Sequence, residues 1–259
     1  MKCFITFGAG KPNFYGAATR LKKQAIDINL FDKIIAYTDD ILKNCDDFWN
    51  NHSNFIENNK RGYGYWIWKP YLIKKTMESM QDGDILMYLD SGCEIDMRKR
   101  DNMVEYFDII QNDYIIGCHI PNKENAWCKM DLILKLGMLD EKYLNTTQRQ
   151  AGALLFLVCD KTRNIVNEWY ELSSDYHNID DTPSVSKNLN CFVEHRHDQS
   201  IFSLLSKKYE MYSKHSLEDC IEYKRNRTGI SAISIPEIPE IPANRPVFKQ
   251  RSRRMSMII

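Results

Sequence analysis

The sequence predicts an α/β fold with a mixed, mostly parallel central sheet flanked by helices, on three observations. Short apolar runs alternate with helical periodicity from the outset: Lys2 to Phe7, a helix of about fourteen residues from Tyr15, then Lys33 to Tyr37. That β-α-β order favours a parallel pair joined by a right-handed crossover. Two later runs, Ile85 to Leu89 and Ala153 to Val158, are apolar without alternation, as strands covered on both faces are.

The chain has 259 residues, enough for one large domain with its own core. A core domain over 1–230 and a C-terminal tail over 231–259 are indicated by a change in composition: Pro236, Pro239, Pro242 and Pro246 crowd the tail, and KQRSRR at 249–254 is basic. The tail reads as extended and solvated, with weak contact to an acidic membrane surface as the other reading. Lysine plus arginine equals aspartate plus glutamate, 35 each, so no overall field favours nucleic acid. The eight cysteines form no CxxC pair and read as reduced core residues. No run approaches a membrane span, and the expectation is a soluble, cytoplasmic protein.

In the first βα turn, Gly8-Ala9-Gly10-Lys11-Pro12, a P-loop fails at Ile5 and Pro12, and GxGxxG fails at Asn13. The backbone at Thr6, Phe7 and Gly8 could still hold a base or ribose; an ordinary βα turn explains it equally well. The first helix buries Ala17, Ala18, Leu21, Ala25 and Ile28; Asp39 and Asp40 are expected to cap the segment after the second strand, and 46–59 reads as broken helix and loop.

RGYGYWIWKPY, 61–71, interleaves five aromatics with two glycines between Arg61 and Lys69. The five aromatics, Tyr65 and Trp66 among them, could build a stacking wall with cationic ends for a sugar or base carrying phosphate, or the segment could plug the core. Pro70 suits the first turn of a helix to Met80, placing Lys69 at an N-terminus where an anion is favoured. The strand Ile85 to Leu89 runs into Asp90, Ser91 and Gly92; Asp90 is either a turn aspartate or, at the carboxyl end of a strand, a ligand carboxylate. Helices are expected over 98–111, 129–136 and 161–176, and a strand over 115–119. Gln150-Ala151-Gly152 enters a buried strand, with Gly152 permitting close approach or marking a bulge. His195-Arg196-His197-Asp198-Gln199 precedes an apolar helix, 201–205: either Asp198 caps it and the histidines are solvated, or the two histidines, Arg196 and Asp198 supply acid/base groups or metal ligands, although H-x-H lacks a third ligand at a zinc interval.

The order of these segments resembles glycosyltransferases of the Rossmann-like GT-A fold, over roughly residues 2–210. LDSG at 89–92 is similar to the first half of their D-x-D motif, and Lys69 is similar to the basic residue that faces the donor in Och1-like and capsular polysaccharide transferases. Gln150-Ala151-Gly152 is similar to the N-x-G element of family 8, and Asp198-Gln199 to its D-Q-D segment. The resemblance implies hexosyl transfer from a UDP- or GDP-sugar to a hydroxyl acceptor on a glycan, as in polysaccharide biosynthesis, with family 8 leaning towards retention. It implies donor binding by Thr6, Phe7, Gly8, Arg61, Tyr65, Trp66, Lys69, Asp90, Ser91, Gly92, Gln150 and Gly152, catalysis by Lys69, Asp198 and Gln199, and acceptor contact by His197. It also implies Mn²⁺ or Mg²⁺ on Asp90, although Gly92 stands where the second aspartate would be, and neither His197 nor His215 matches the family's metal histidine clearly. A catalytically silent protein of the same fold that binds nucleotide sugar or glycan is the alternative.

Overall fold

A computed structural model of the chain describes residues 1–223 and 225–233. The prolines of the tail and its basic patch lie outside the described residues.

The central sheet has five strands in the order β2-β1-β3-β6-β5: β1 (Lys2–Gly8), β2 (Lys33–Thr38), β3 (Ile85–Leu89), β5 (Ile115–Lys123) and β6 (Thr147–Leu157). β1 pairs with β2 and with β3 in parallel, whereas β6 runs antiparallel to both β3 and β5. Four strands therefore share one direction, and the sheet is the mixed one expected. A two-stranded antiparallel sheet of β4 (Glu94–Ile95) and β7 (Ile221–Glu222) lies apart from it; both strands are too short to leave a pattern in the sequence.

Successive residues of a strand face opposite sides, and the core divides accordingly. Cys3, Ile5, Leu86 and Tyr88 belong to one cluster; Phe4, Ile85, Met87 and Leu89 belong to the other. The second cluster is covered by α1 (Pro12–Asp27), through Leu21 and Ala25, and later in the chain by the helix over 100–113, through Met103, Phe107 and Ile110. Between β2 and β3 run α2 (Asp39–Lys43), α3 (Asp46–Asn58), the short turn α4 (Gly62–Tyr65) and α5 (Trp68–Glu78). They are followed by α6 (Arg100–Asp113), α7 (Glu124–Trp127), α8 (Met130–Lys135), α9 (Glu141–Leu144), α10 (Asp160–Ser174) and α11 (His197–Lys208). Phe48 of α3, Ile73 and Met77 of α5, Trp169 of α10 and Ile201 and Leu205 of α11 fill the first cluster.

Three expectations need correction. Residues 46–58 form one continuous helix, because Phe48, His52 and Ile56 make a buried stripe at i, i+4, i+8 that the surrounding asparagines obscure. His52 is held between the hydroxyls of Tyr170 (2.9 Å) and Tyr176 (3.0 Å). The cap of α2 is Thr38, whose Oγ1 accepts from the Ile41 amide at 3.4 Å; Asp39 and Asp40 lie in the first turn. Gln150 and Gly152 sit inside β6, which starts six residues before the expected Ala153, rather than leading into it. All eight cysteines are free, six of them buried, and among the described residues no helix is long and apolar enough to cross a membrane.

Candidate active site

β3 ends at Leu89, paired with Ala153 of β6, and the next pair across the ladder is Asp90 and Gly152, joined by the Asp90 amide donating to the Gly152 carbonyl at 2.7 Å. This register sets the Asp90 carboxylate over Gly152. A Cβ there would lie 2.8 Å from Asp90 Oδ2 and 3.0 Å from the Tyr223 hydroxyl, so only glycine leaves the carboxylate its place. Tyr88, one pleat back, donates its hydroxyl to Asp90 Oδ1 at 2.5 Å.

The first turns of α5 and α11 meet at this point. Lys69 reaches Asp90 Oδ1 at 3.4 Å and Asp198 Oδ2 at 2.9 Å. Lys69 and Asp198 are each 3% exposed, and the Asp90 side chain is 30% exposed. Burial pushes the Asp198 carboxyl up to about 6; the Lys69 ammonium opposes this and the Asp90 charge adds to it. Burial pulls on Lys69 in the other direction, but the charges of Asp198 and Asp90 prevail and hold its ammonium above the ordinary lysine value. Burial, then the Asp90 charge, raises the Tyr88 phenol well above its usual range.

These three residues stand on the floor of a cavity of about 850 Å³ at the carboxyl ends of β1 and β3. Its wall holds seven cations, Lys11, Lys60, Arg61, Lys69, Arg196, Arg225 and Arg227, against the two carboxylates Asp90 and Asp198. Arg61 is spent on Asp181 at 3.0 Å and Arg196 on Glu194 at 3.3 Å. Lys11, Lys60, Arg225 and Arg227 pair with no carboxylate among the described residues. The first turns of α1, α5 and α11 also line the cavity, and none of these helices has a side-chain N-cap, so their dipoles add to the positive potential.

Two buried polar groups, His197 and Asp198, stand among these cations. His197 Nδ1 meets the Ile179 carbonyl at 2.7 Å, so it carries the ring proton, and burial lowers the imidazole pKa and keeps it neutral. Its Nε2 is buried without a hydrogen-bond partner, 3.8 Å from Asp181 Oδ1, while the buried Asp198 Oδ2 has the Lys69 ammonium as its neighbour.

Of the residues singled out in the sequence, the cavity gathers Phe7, Arg61, Trp66, Lys69, Asp90, Ser91, Gly92, Gly152, His197, Asp198 and Gln199. Thr6, Gly8, Tyr65 and Gln150 stand outside its lining. Thr6 is fully buried, Gly8 packs against Phe14 and Ala18 of α1, Gln150 is buried in β6, and Tyr65 stacks behind His197 at 5.1 Å. Asp198 lies one residue inside α11, whose cap position is Arg196. His215 packs on Tyr106, away from the lining. Of the five aromatics of 61–71, Tyr63, Trp66 and Trp68 line the cavity and Tyr65 and Tyr71 do not; Arg196 also lines it, while sequence reasoning missed Lys11, Lys60 and the group Tyr223, Arg225 and Arg227. Phe7 and Trp68 stack at 4.0 Å, and the Trp68 indole donates to the Gly62 carbonyl at 2.9 Å. Residues 62–66 all have positive φ, and three of them, Tyr63, Tyr65 and Trp66, are not glycine.

The resemblance implies a divalent cation on Asp90. One oxygen of that carboxylate already receives Tyr88 and Lys69, and at Gly92 a Cβ would lie 3.2 Å from the Arg225 Cα, so the backbone of Arg225 fills the space a second carboxylate would need. No three His, Cys, Asp or Glu side chains come together to hold an ion among the described residues. With seven cations already on its wall, this donor set does not fit a dication.

Fold and site together define an α/β protein with a cleft at the carboxyl ends of its strands in which cations outnumber carboxylates. No family model matches the chain, and neither does any curated protein. Among solved structures the chain is similar to apo mouse xyloside xylosyltransferase 1, at 12% identity and a TM-score of 0.44 over 84% of this chain and 86% of that one. It is also similar to the galactosyltransferase LgtC in complex with donor and acceptor sugar analogues, at 16% identity and a TM-score of 0.43 over 81% of this chain and 72% of that one.

Proposed function

We propose that the chain is a glycosyltransferase of GT-A type that moves a sugar from a nucleotide-diphosphate sugar to a hydroxyl acceptor. The observation that carries this reading is one cavity with unpaired cations on its wall and, beside them, the buried Lys69 bridge between Asp90 and Asp198. Its volume lies within the range of roughly 300–1,000 Å³ usual for small-molecule sites. An anionic diphosphate matches the cations, and Trp66, Trp68 and Tyr63 offer faces for a base or sugar ring.

In this reading the bond between the anomeric carbon and the diphosphate oxygen breaks, and the electron pair leaves with the diphosphate. The acceptor oxygen forms the new bond, and its proton passes to Asp198, which is ionised above about pH 6. Lys69 holds the two carboxylates in register and offsets charge that develops near them. A UDP- or GDP-hexose fits this scheme as donor and a glycan hydroxyl as acceptor.

Incubation with a panel of UDP- and GDP-sugars should give slow donor hydrolysis for at least one member, and Asp90→Ala should reduce its rate at least about a hundredfold, the scale of losing one preorganised polar group at a reacting centre. Hydrolysis at the wild-type rate in that variant would remove Asp90 from the site. Nucleotide binding without turnover of any donor or acceptor would leave the silent binding protein instead.

A further inference from the structure

We infer that residues 225–232 form a strap whose Arg225 and Arg227 bind the diphosphate in place of a divalent cation. The inference rests on the donor-site reading above and deepens it. Where a D-x-D motif would bring its second carboxylate there is Gly92, and its missing side chain leaves room for the Arg225 backbone; the Asn226 amide then donates to the Gly92 carbonyl at 2.8 Å. The strap therefore runs past the site of the lost ligand and brings two cations with it.

Its position is fixed by a buried pair. Arg20, 6% exposed, donates to the carbonyls of Ser91 and Cys93 (both 2.8 Å) on one side and of Asn226 and Thr228 (both 3.1 Å) on the other, so one guanidinium joins the loop after β3 to the strap. Glu94, fully buried, accepts from the Asn226 side chain (2.7 Å), the Ser231 hydroxyl (2.5 Å) and the Ala232 amide (2.9 Å). Arg20 and Glu94 are 3.9 Å apart. A segment that merely crossed the surface would not need a buried charge at each end.

Arg225 and Arg227 themselves are exposed on the cavity wall, with no carboxylate partner among the described residues; Arg227 lies over the Phe14 ring at 5.5 Å. A guanidinium presents paired donors that match phosphate oxygens, and two of them can balance a diphosphate as a dication would. When the anomeric bond breaks, the added negative charge on the leaving diphosphate falls where these groups stand, so they assist departure as well as binding.

The test is calorimetric titration with UDP, GDP, ADP and dTDP, in EDTA and again with Mn²⁺ or Mg²⁺. The tightest nucleotide should bind in EDTA within about threefold of its affinity with metal. Arg225→Ala and Arg227→Ala should each weaken it by about 10-fold or more, as expected for a lost charge-assisted hydrogen bond, and Arg225→Lys by less. Lys23→Ala, a surface lysine paired only with Asp27, serves as the charge control and should bind like wild type. Nucleotide binding that requires the metal, or arginine variants that bind unchanged, would overturn the strap and leave the donor site standing. Failure of all four nucleotides to bind in either buffer would remove the donor site, and the strap with it.

Discussion

Lys69 is the residue on which the site's charge balance turns. With Asp198 it is almost wholly withdrawn from water, and removing one member of a buried pair costs about 3–5 kcal/mol because the other charge is stranded. Lys69→Met should therefore lower stability by that amount at about pH 8, measured by denaturant unfolding. The sign of its pH dependence comes from Asp198. Its folded pKa is already above the ordinary 3.8 and rises further without Lys69, so the stability it contributes is present at low pH and lost as pH climbs through the raised value. The variant should lose much less stability at about pH 5 than at about pH 8. A second outcome belongs to the same carboxylate: donor hydrolysis should fall about tenfold per unit below about pH 6 as Asp198 takes a proton, and Lys69→Met should move that limb upward. A flat profile through this window would separate Asp198 from the reaction. Lys69, Asp90 and Asp198 are legible in the sequence because each sits where a strand or helix ends, and ends are marked by Gly, Pro or polar clusters. Tyr65 is not, because the backbone of 62–66 turns left-handed, and no regular period says which ring faces the cavity.

The strap is the element that differs most from its sequence. Residues 225–232 carry no periodicity, and the composition boundary near residue 230 cuts through them. Their place is set by Arg20 and Glu94, more than 130 positions away, and no local pattern records that contact. The same dependence makes the strap sensitive to acid. Burial alone would raise the Glu94 carboxyl, but hydrogen bonds from Ser231, Asn226 and Ala232 outweigh it and hold it at about 2. A depressed carboxylate stabilises above its ordinary value of 4.5, and that stabilisation is lost as pH falls towards about 2. Hydrogen exchange of the amides over 225–232 should accelerate across this window ahead of the central sheet, and Glu94→Gln should show the acceleration already at neutral pH. Equal protection in the strap and in β3 under acid would show that Glu94 does not hold it. α3 shows the converse failure: its buried stripe is present in the sequence but outnumbered by asparagines whose side chains bond back to carbonyls four residues earlier.

At the scale of the molecule, the strand and helix order is readable because the long helices keep the 3.6 period and the central strands contain short continuous apolar runs covered on both faces. Strand direction is readable only in part. A connection long enough to cross over predicts a parallel neighbour, and β1, β2 and β3 obey this, but nothing in the 153–158 run marks β6 as reversed. That reversal matters to the site, since an antiparallel partner is what sets Gly152 beside Asp90.

The clasp by Arg20 and Glu94 also bears on how the protein is made. The five-stranded sheet is complete in sequence at residue 157, and the last large piece of the core at α11. Domains fold as chain becomes available during synthesis, so this body can be packed before Arg225 and Arg227 have emerged. A nascent chain would then own a folded core, with Lys69, Asp90 and Asp198 in place, and a cleft still lacking two of its four unpaired cations. On the proposed strap, competence to hold a diphosphate would arrive as a discrete late event, when Glu94 gains Asn226 and Ser231.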